Sequence, residues 1–357
     1  MKKVIITTGG TGGHIYPALS IGEGLKKRGV DVLFVGSSSR MEKNIVPEAG
    51  FKFIGLEIYP PRTIKNIFKS ITSFFKGIKV VSKEKPDAII GFGNYISVPI
   101  LVAGVLLRKK IYLQEQNANL GFTNKFFYKM AKKTFLAFEK TYDDIPLKYQ
   151  DKFLVTGNPL REEIYSVSEA VERERLKLEK DEKLLLITGG SLGAKDINEA
   201  VLDHWEEIFE EKKIRVYWAT GEKNFDDINK RMENSKIKMT DIIKPYFNNM
   251  INIMAAADLI VCRAGALTLS EVIELEKPSI LIPYNSIKVG QFANAKILEE
   301  NEGALIYSNS EASLGIGKAL ELIGNEEELT KMRIKVRNLK KKNAVEEIMD
   351  SLDIWRN

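Results

Sequence analysis

The sequence predicts a two-domain α/β protein built on doubly wound parallel sheets. Three observations carry this. Its 357 residues suffice for two ordinary domains, and 44% of them are hydrophobic, enough for a sizeable core in each. Short apolar runs recur, each ending in a glycine or polar turn and followed by a segment of helical spacing. The whole pattern then restarts half-way along the chain.

"KKVIITTGG" reads as a short buried strand running into a glycine turn. "IYPALSIGEGLKKRG" reads as a helix, with Ile15, Leu19, Gly22 and Leu25 at helical spacing and a basic last turn closed by glycine. "VDVLFVGS", "PDAIIGFG" and "KIYLQEQN" repeat the strand-then-loop pattern. Between them, residues 62 to 85, "RTIKNIFKSITSFFKGIKVVSKEK", place Ile64, Ile67, Phe68, Ile71, Phe74, Phe75 and Ile78 on one helical face among six lysines. About half of these apolar residues are needed to cover the sheet. The outer part, Ile67, Phe68, Ile71 and Phe74 or Phe75, is expected to be an exposed patch on an anionic membrane surface.

The second half opens with "DEKLLLITGGSLGAKDINEAV", again strand, Gly-Gly and helix. "IRVYWATG", "DIIKPYF" and "ADLIVCRAGALTLSEVIELEKPSILIPY" continue the series. The junction falls near "TGNPLREEIYSVSEA", giving domains at residues 1–163 and 164–340, with a last helix in 341–357 expected to pack back on the first. The charged stretch 167–183 is expected on the surface, and so is His204 in "VLDHWEE".

A single cysteine, Cys262, excludes a disulfide framework and fits a reducing compartment. No cysteine and histidine cluster has zinc spacing. The short apolar run after Lys2 and Lys3 is a strand rather than a signal peptide, and no stretch approaches the roughly 18 apolar residues of a bilayer span. Charge is divided unevenly: residues 1–163 carry 26 basic and 14 acidic groups, a net of +12, and the remainder 28 and 34, a net of −6. The first half is therefore the one suited to an anion, whether nucleic acid, anionic lipid or a phosphorylated ligand.

A strand, a glycine loop and a helix present backbone N–H groups to phosphate. Both loops lack the Gly-Lys-Ser/Thr of a P-loop, which removes that reading. A nicotinamide site wants an acid at the tip of the second strand, and "LFVGSSS" and "VYWATGEKN" offer none there. Glycines that merely let a helix approach a strand remain an alternative. A third reading is a nucleotide-sugar transferase with two facing Rossmann-like domains, one gripping the nucleotide diphosphate and the other the acceptor. No Asp-x-Asp advertises a metal-bridged diphosphate, which favours helix ends as the source of positive potential. "CRAGALTLSEV" suits that role: small residues lead from a strand into a helix, and Glu271, one turn in, is placed for ribose hydroxyls. The plainer alternative there is a capping box with an interior glutamate.

Six stretches, "GGTGGHIYPAL", "GFGNYISVP", "QEQNANLGFTN", "GNPLR", "TGGSLGAKDIN" and "CRAGALTLSE", together resemble the MurG family. These are the transferases that move N-acetylglucosamine from its UDP donor to undecaprenyl-pyrophosphoryl-muramyl-pentapeptide (lipid I). The resemblance runs in order from residue 9 to about residue 295. It implies the GT-B fold, with two Rossmann-like domains facing a cleft, and an inverting reaction with no cofactor and no tightly bound metal. It also implies a peripheral place on the cytoplasmic face of the plasma membrane. The implied partners are UDP-N-acetylglucosamine, lipid I, the anionic membrane surface and other cell-wall synthesis proteins, with no nucleic acid.

Carried over by position, the resemblance sets Ser191, Gly265, Ala266, Leu267, Thr268 and Ser270 on the diphosphate and Glu271 on the ribose. Phe247 would flank the uracil through its backbone, and Gln291 would reach the donor sugar. Thr11, Gly12, Gly13, Asn117 and Arg161 would complete the donor pocket, while Gly9, Gly10, Asn94 and Tyr95 would meet the acceptor. Three positions depart from the family pattern: Gln114 where histidine is frequent, Asn94 where glycine is usual, and Gly290 where a second glutamine is common. An inverting transfer needs a base near the acceptor hydroxyl, and His14, on the lip of the first glycine loop, is the candidate, with Glu115 as its rival. A transferase using another UDP-sugar or lipid acceptor, or a non-catalytic nucleotide-binding scaffold at the membrane, are the competing readings.

Overall fold

Valine, isoleucine and leucine crowd the short apolar runs, and those runs become parallel strands buried on both faces. The structure is a computed structural model. It describes residues 1–355 apart from 61–62, 191, 211–213, 233–241 and 287–289, and leaves out the side chains of 64–65, 67–70, 144 and 209–210. The chain divides into two compact units, Met1–Arg161 with Lys341–Asn357, and Glu162–Lys340.

In the first unit, β1 (Lys3–Thr7), β2 (Asp31–Ser37), β3 (Lys52–Leu56), β4 (Ala88–Gly91), β5 (Lys110–Glu115), β6 (Lys133–Leu136) and β7 (Phe153–Val155) form one sheet. Its order is β3-β2-β1-β4-β5-β6-β7, with parallel pairs throughout. Helices α1 (Gly12–Lys27) and α2 (Glu42–Glu48) cover one face, where Ile15, Ile21, Leu25 and Val46 pack with Val4, Ile6 and Phe34. Helices α3 (Ile64–Glu84), α4 (Val98–Leu106) and α5 (Phe122–Phe127) cover the other, where Val81, Ile100, Leu101 and Phe127 meet Ile5, Ile89 and Leu113. The Thr63 side chain starts α3 by accepting the Asn66 N–H at 3.2 Å, supplying one orphan amide with a partner.

In the second unit, β8 (Lys183–Thr188), β9 (Ile214–Ala219), β10 (Ile243–Lys244), β11 (Leu259–Cys262), β12 (Ser279–Leu281) and β13 (Ala304–Ile306) lie in the order β10-β9-β8-β11-β12-β13. These strands are parallel as well. The helices are α6 (Glu169–Arg175), α7 (Lys195–Asp203), α8 (Trp205–Glu210), α9 (Glu222–Met232), α10 (Met250–Ala256), α11 (Ala266–Glu274), α12 (Gln291–Glu300), α13 (Ala312–Ile323) and α14 (Glu326–Arg337). The final helix, α15 (Ala344–Asp350), belongs to the first unit, where it lies on α1 and Arg28 donates to Asp350 at 2.7 Å.

The stretch 167–183 lies largely on the surface, as expected, with one buried side chain, and His204 is held more tightly than expected. The stretch 167–183 contains α6, which packs on α10. There Arg173 donates to Asp258 at 2.8 Å and to the Ala256 carbonyl at 3.0 Å, and Glu172 is buried. Arg173 reads as solvent-seeking because its partner lies 85 residues away. His204 likewise ends α7 and reaches the Ser313 carbonyl on α13 at 3.0 Å, tethering two helices.

In each sheet the strand order reverses once, between β1 and β4 and between β8 and β11. Open parallel sheets bind ligands at such switch points, outside the carboxyl ends of the strands. The loops after β1, β4, β8 and β11 are therefore where each unit's site is built.

Candidate active site

Residues 8–11 carry β1 into α1, and the "GFGNY" loop leaves the neighbouring β4. Asn94 joins the two loops: its amide donates to the Gly9 carbonyl while its Oδ1 accepts the Ile96 N–H at 2.9 Å. The asparagine that departs from the family pattern is thus a strut across the switch point. Tyr95 is half-buried against the core on the α3–α4 side. Thr11 precedes α1, and its hydroxyl lies 3.1 Å from Nδ1 of His14 in the first helical turn. In the tautomer that donates Nδ1–H to Thr11, Nε2 keeps the lone pair a base requires. Burial pushes the His14 imidazole down to about 4, so it is neutral at physiological pH. The positive end of α1 acts in the same direction.

Gly9 and Gly10 do not form an open phosphate cradle. Glu42 of α2 lies fully buried behind them, accepting the Gly10 N–H at 3.0 Å and the Ser37 N–H at 2.8 Å. A Cβ on Gly9 would stand 2.1 Å from the Glu42 carboxylate. The expectation that these two glycines hold the acceptor's pyrophosphate is therefore corrected at Gly10, whose amide is already taken by an internal anion. Gly12 and Gly13, which open α1, remain partly accessible.

Glu115 ends β5 with its carboxylate buried. One oxygen accepts the backbone and side-chain N–H groups of Asn117 at 3.1 and 3.3 Å, and the other accepts Gly121 N–H and the Asn124 amide, both at 2.8 Å. Burial raises its pKa, and the four donors oppose that rise. With both oxygens engaged, Glu115 ties down the loop 116–121 and is poorly disposed to take a substrate proton. Gln114, the second departure, is fully buried: its amide donates to Asn158 Oδ1 at 3.0 Å, and its oxygen accepts from Gln116. Arg161 is partly exposed at the end of the first unit's long segment.

In the second unit, Gly189, Gly190 and Gly193 carry β8 into α7; Ser191 lies outside the described residues. Gly265 caps α11 with extended backbone and no side chain, leaving this helix end without a side-chain cap. Leu267, Thr268 and Glu271 are partly exposed on its first turns. Ser270 is buried, and its hydroxyl donates back to the Ala266 carbonyl at 3.0 Å. Glu271 contributes to the rise of the buried Cys262 thiol to about 12, after burial itself. Phe247 is buried against Tyr217, ring centres 5.5 Å apart, so only its backbone is available to a ligand. Gln291 opens α12, and its Oε1 accepts the Tyr284 N–H at 2.8 Å. Gly290, the third departure, has φ +70° at the cap of that helix, a conformation glycine adopts without strain.

Five side chains at these strand ends escaped the sequence reading. Glu42 sits in "RMEKNIVPE", which has no motif. Asn124 and Asn158 lie inside stretches quoted above, where a buried amide amid apolar residues was the available signal. Arg263, a cation straight after an apolar strand, donates to the Ile282 carbonyl at 2.9 Å and Asp196 at 3.2 Å and covers the Tyr284 ring. Asn294 of α12 binds the Ala264 carbonyl at 3.2 Å. Of the expected outer patch on α3, Ile71 is 41% and Phe75 70% exposed and Phe74 is half-buried; the side chains of Ile67 and Phe68 lie outside the described residues. On the same face of the sheet α5 exposes Phe122 and Phe126 beside Lys125, an apolar and basic surface missed in the sequence. Among the described residues no helix is long and apolar enough to cross a membrane, and no group of three or more histidine, cysteine or carboxylate side chains is arranged to hold a metal.

Residues 4–136 match the glycosyltransferase family 28 N-terminal domain, and residues 184–351 match its C-terminal domain. The chain is 59% identical over its full length to the UDP-N-acetylglucosamine–N-acetylmuramyl-(pentapeptide) pyrophosphoryl-undecaprenol N-acetylglucosamine transferase of Fusobacterium nucleatum, covering 99% of that protein. It is 36% identical to the protein of the same name from Halothermothrix orenii, over 87% of this chain and 86% of the other. Among solved structures it resembles Acinetobacter baumannii MurG, with a TM-score of 0.78 at 27% identity over 98% of both chains. The fold alone is shared with an S. aureus MnaA–UDP structure, at a TM-score of 0.68 and 14% identity over 98% of this chain and 95% of that one. The chain belongs to glycosyltransferase family 28 and, within it, to the MurG family of N-acetylglucosamine transferases.

Proposed function

We propose that the protein transfers N-acetylglucosamine from UDP-N-acetylglucosamine to the 4-hydroxyl of the muramic acid in lipid I, giving lipid II for peptidoglycan synthesis. The observation that carries this reading is the 59% identity, end to end, with the F. nucleatum transferase. Of the expected donor groups, Gly265 to Glu271 follow β11 and Gln291 starts α12 in the second unit, while Thr11, Gly12, Gly13, Asn117 and Arg161 belong to the first. The α11 N-terminus would meet the diphosphate through backbone N–H groups, and Glu271 the ribose. Gln291 would reach the sugar with its amide nitrogen, since its oxygen serves Tyr284.

In the transfer step the acceptor hydroxyl oxygen forms a bond to C1 of the donor sugar as the C1–O bond to UDP breaks, and UDP leaves with that electron pair. The hydroxyl proton passes to Nε2 of His14, and the anomeric configuration inverts. His14 is supported as base by its neutral state and its place in the first turn of α1, Glu115 being occupied by four donors. An anionic acceptor beside the ring favours imidazolium, so binding is expected to raise a pKa of about 4 toward the working range.

The exposed Ile71 and Phe75 on α3, with Phe122 and Phe126 on α5, support a peripheral contact with an anionic bilayer. Replacing Phe75 and Phe122 together by Ser is expected to weaken binding to phosphatidylglycerol liposomes about tenfold or more, from the loss of two inserted rings. Unchanged sedimentation with liposomes would reject that surface. The activity itself is tested by UDP release from UDP-N-acetylglucosamine with a lipid I analogue. UDP-glucose and UDP-N-acetylgalactosamine run alongside, with and without chelator. Preference for either of the other donors would identify a different transferase, and absence of release would leave a binding protein.

A further inference from the structure

We propose that Glu42 is a positioning residue for the transfer step: its buried carboxylate sets the shape of the glycine loop that carries His14. The inference rests on the reading of His14 as base. Two backbone segments converge on this one side chain. One oxygen holds the Gly10 N–H at 3.0 Å and the other the Ser37 N–H at 2.8 Å, so the loop after β1 and the end of β2 share an anion. The space it occupies is reserved for it: an added Cβ would lie 2.1 Å from its carboxylate at Gly9 and 2.8 Å from its Cγ at Gly36. Asn94 grips the Gly9 carbonyl from the opposite loop. Gly9 and Gly10 are thus held on both sides, immediately before the turn in which His14 stands.

A fully buried carboxylate is a costly way to secure a loop, because its charge must be stripped of water. Its particular effect is directional. Two N–H groups aimed at one anion fix two peptide planes relative to each other, and the negative charge behind the loop keeps a substrate phosphate off the Gly10 amide. Any acceptor phosphate is left the side of the turn at Gly12 and Gly13, next to His14. A displacement of about 1 Å at a reacting group costs on the order of 100-fold in rate, so the loop's place matters more to turnover than to donor affinity.

The test uses the full-length protein, with turnover normalised to UDP-binding-competent enzyme. Glu42→Gln retains the size of the side chain but offers an NH2 where the second N–H needs an acceptor. Its kcat is expected to fall about 10- to 100-fold while the donor KM stays within about twofold. Glu48→Gln, exposed on the same helix, is expected to match the parent. Gly9→Ala, which pushes on the same carboxylate from the loop side, is expected to show the same split, and the double variant to be no worse than the poorer single one. A kcat for Glu42→Gln within about threefold of the parent, or a donor KM that worsens in step with kcat, would overturn the proposal. Should Glu42→Gln fail to fold, Gly9→Ala is judged by the same limits. His14→Ala separates the two readings: parental turnover there, with loss in Glu42→Gln, removes the base assignment and leaves the loop role standing.

Discussion

The two Gly-Gly turns look alike on paper and are held in place by different physics. In the first unit the turn rests on side chains: the Glu42 carboxylate from behind and the Asn94 amide from the next loop. In the second unit the Thr188 hydroxyl accepts the Gly190 N–H at 3.1 Å, and the far end of the turn rests on backbone. Gly193, at φ +74°, lies against the Thr220 carbonyl and against Gly221 of the loop after β9, where a Cβ would stand 2.3 Å from the Thr220 oxygen. Asn198 braces that contact by donating to the same oxygen at 2.9 Å while accepting from Trp218 at 3.0 Å. One turn is set by charge and hydrogen bonds, the other by the absence of a side chain. A glycine pair at the end of a strand is therefore no phosphate signature until its neighbours are known.

The largest effect expected belongs to the first turn. His14→Ala is predicted to lower kcat about 10²- to 10⁴-fold, the usual contribution of a placed general base, and turnover within about threefold of the parent would break the assignment. In the parent, the acid limb of kcat/KM is expected near the free-enzyme value of about 4, with that of kcat at higher pH. Next comes the second turn. Gly193→Ala meets both a positive φ and a backbone clash and is predicted to cost about 3 kcal/mol of stability, roughly 150-fold in the folding equilibrium, read by denaturant unfolding. A loss as small as that of an ordinary surface substitution would show the turn to be more yielding than its geometry. Glu271→Ala should raise the donor KM about tenfold with little change for the acceptor, and an unchanged donor KM would remove it from the ribose.

A further effect is on stability against pH. His14 protonates less readily in the fold than at its ordinary 6.5, so the unfolded chain binds the proton first. The stability that neutral His14 contributes is complete above about 6.5 and is lost as pH falls toward about 4. In His14→Ala this part of the pH dependence should vanish from urea midpoints measured across that window.

The strands, the two sheets and the restart of the pattern were legible because alternation of apolar runs with turn residues is a local property. β1, β2, β4 and β5 lie inside the stretches read as strands, and "CRAGALTLSE" leads from β11 into α11. The inward bond of Ser270 was not legible because a hydroxyl in a helix can bond its own preceding turn, which a motif does not reveal. Within the stretch 167–183 the inward bond of Arg173 was not legible, because a charge whose partner is remote in sequence looks like a charge seeking water.

Local patterning alone specified which segments become strand, turn and helix, and it marked the loops in which the chemistry resides. It could not show that a glutamate in "RMEKNIVPE" would fill the space behind Gly9, or that Glu115 would spend both oxygens on its own loop. Those outcomes depend on contacts between segments far apart in the chain. Hydrogen bonding and burial act over a few ångströms of space, whatever the separation in sequence, and packing settles which groups come that close.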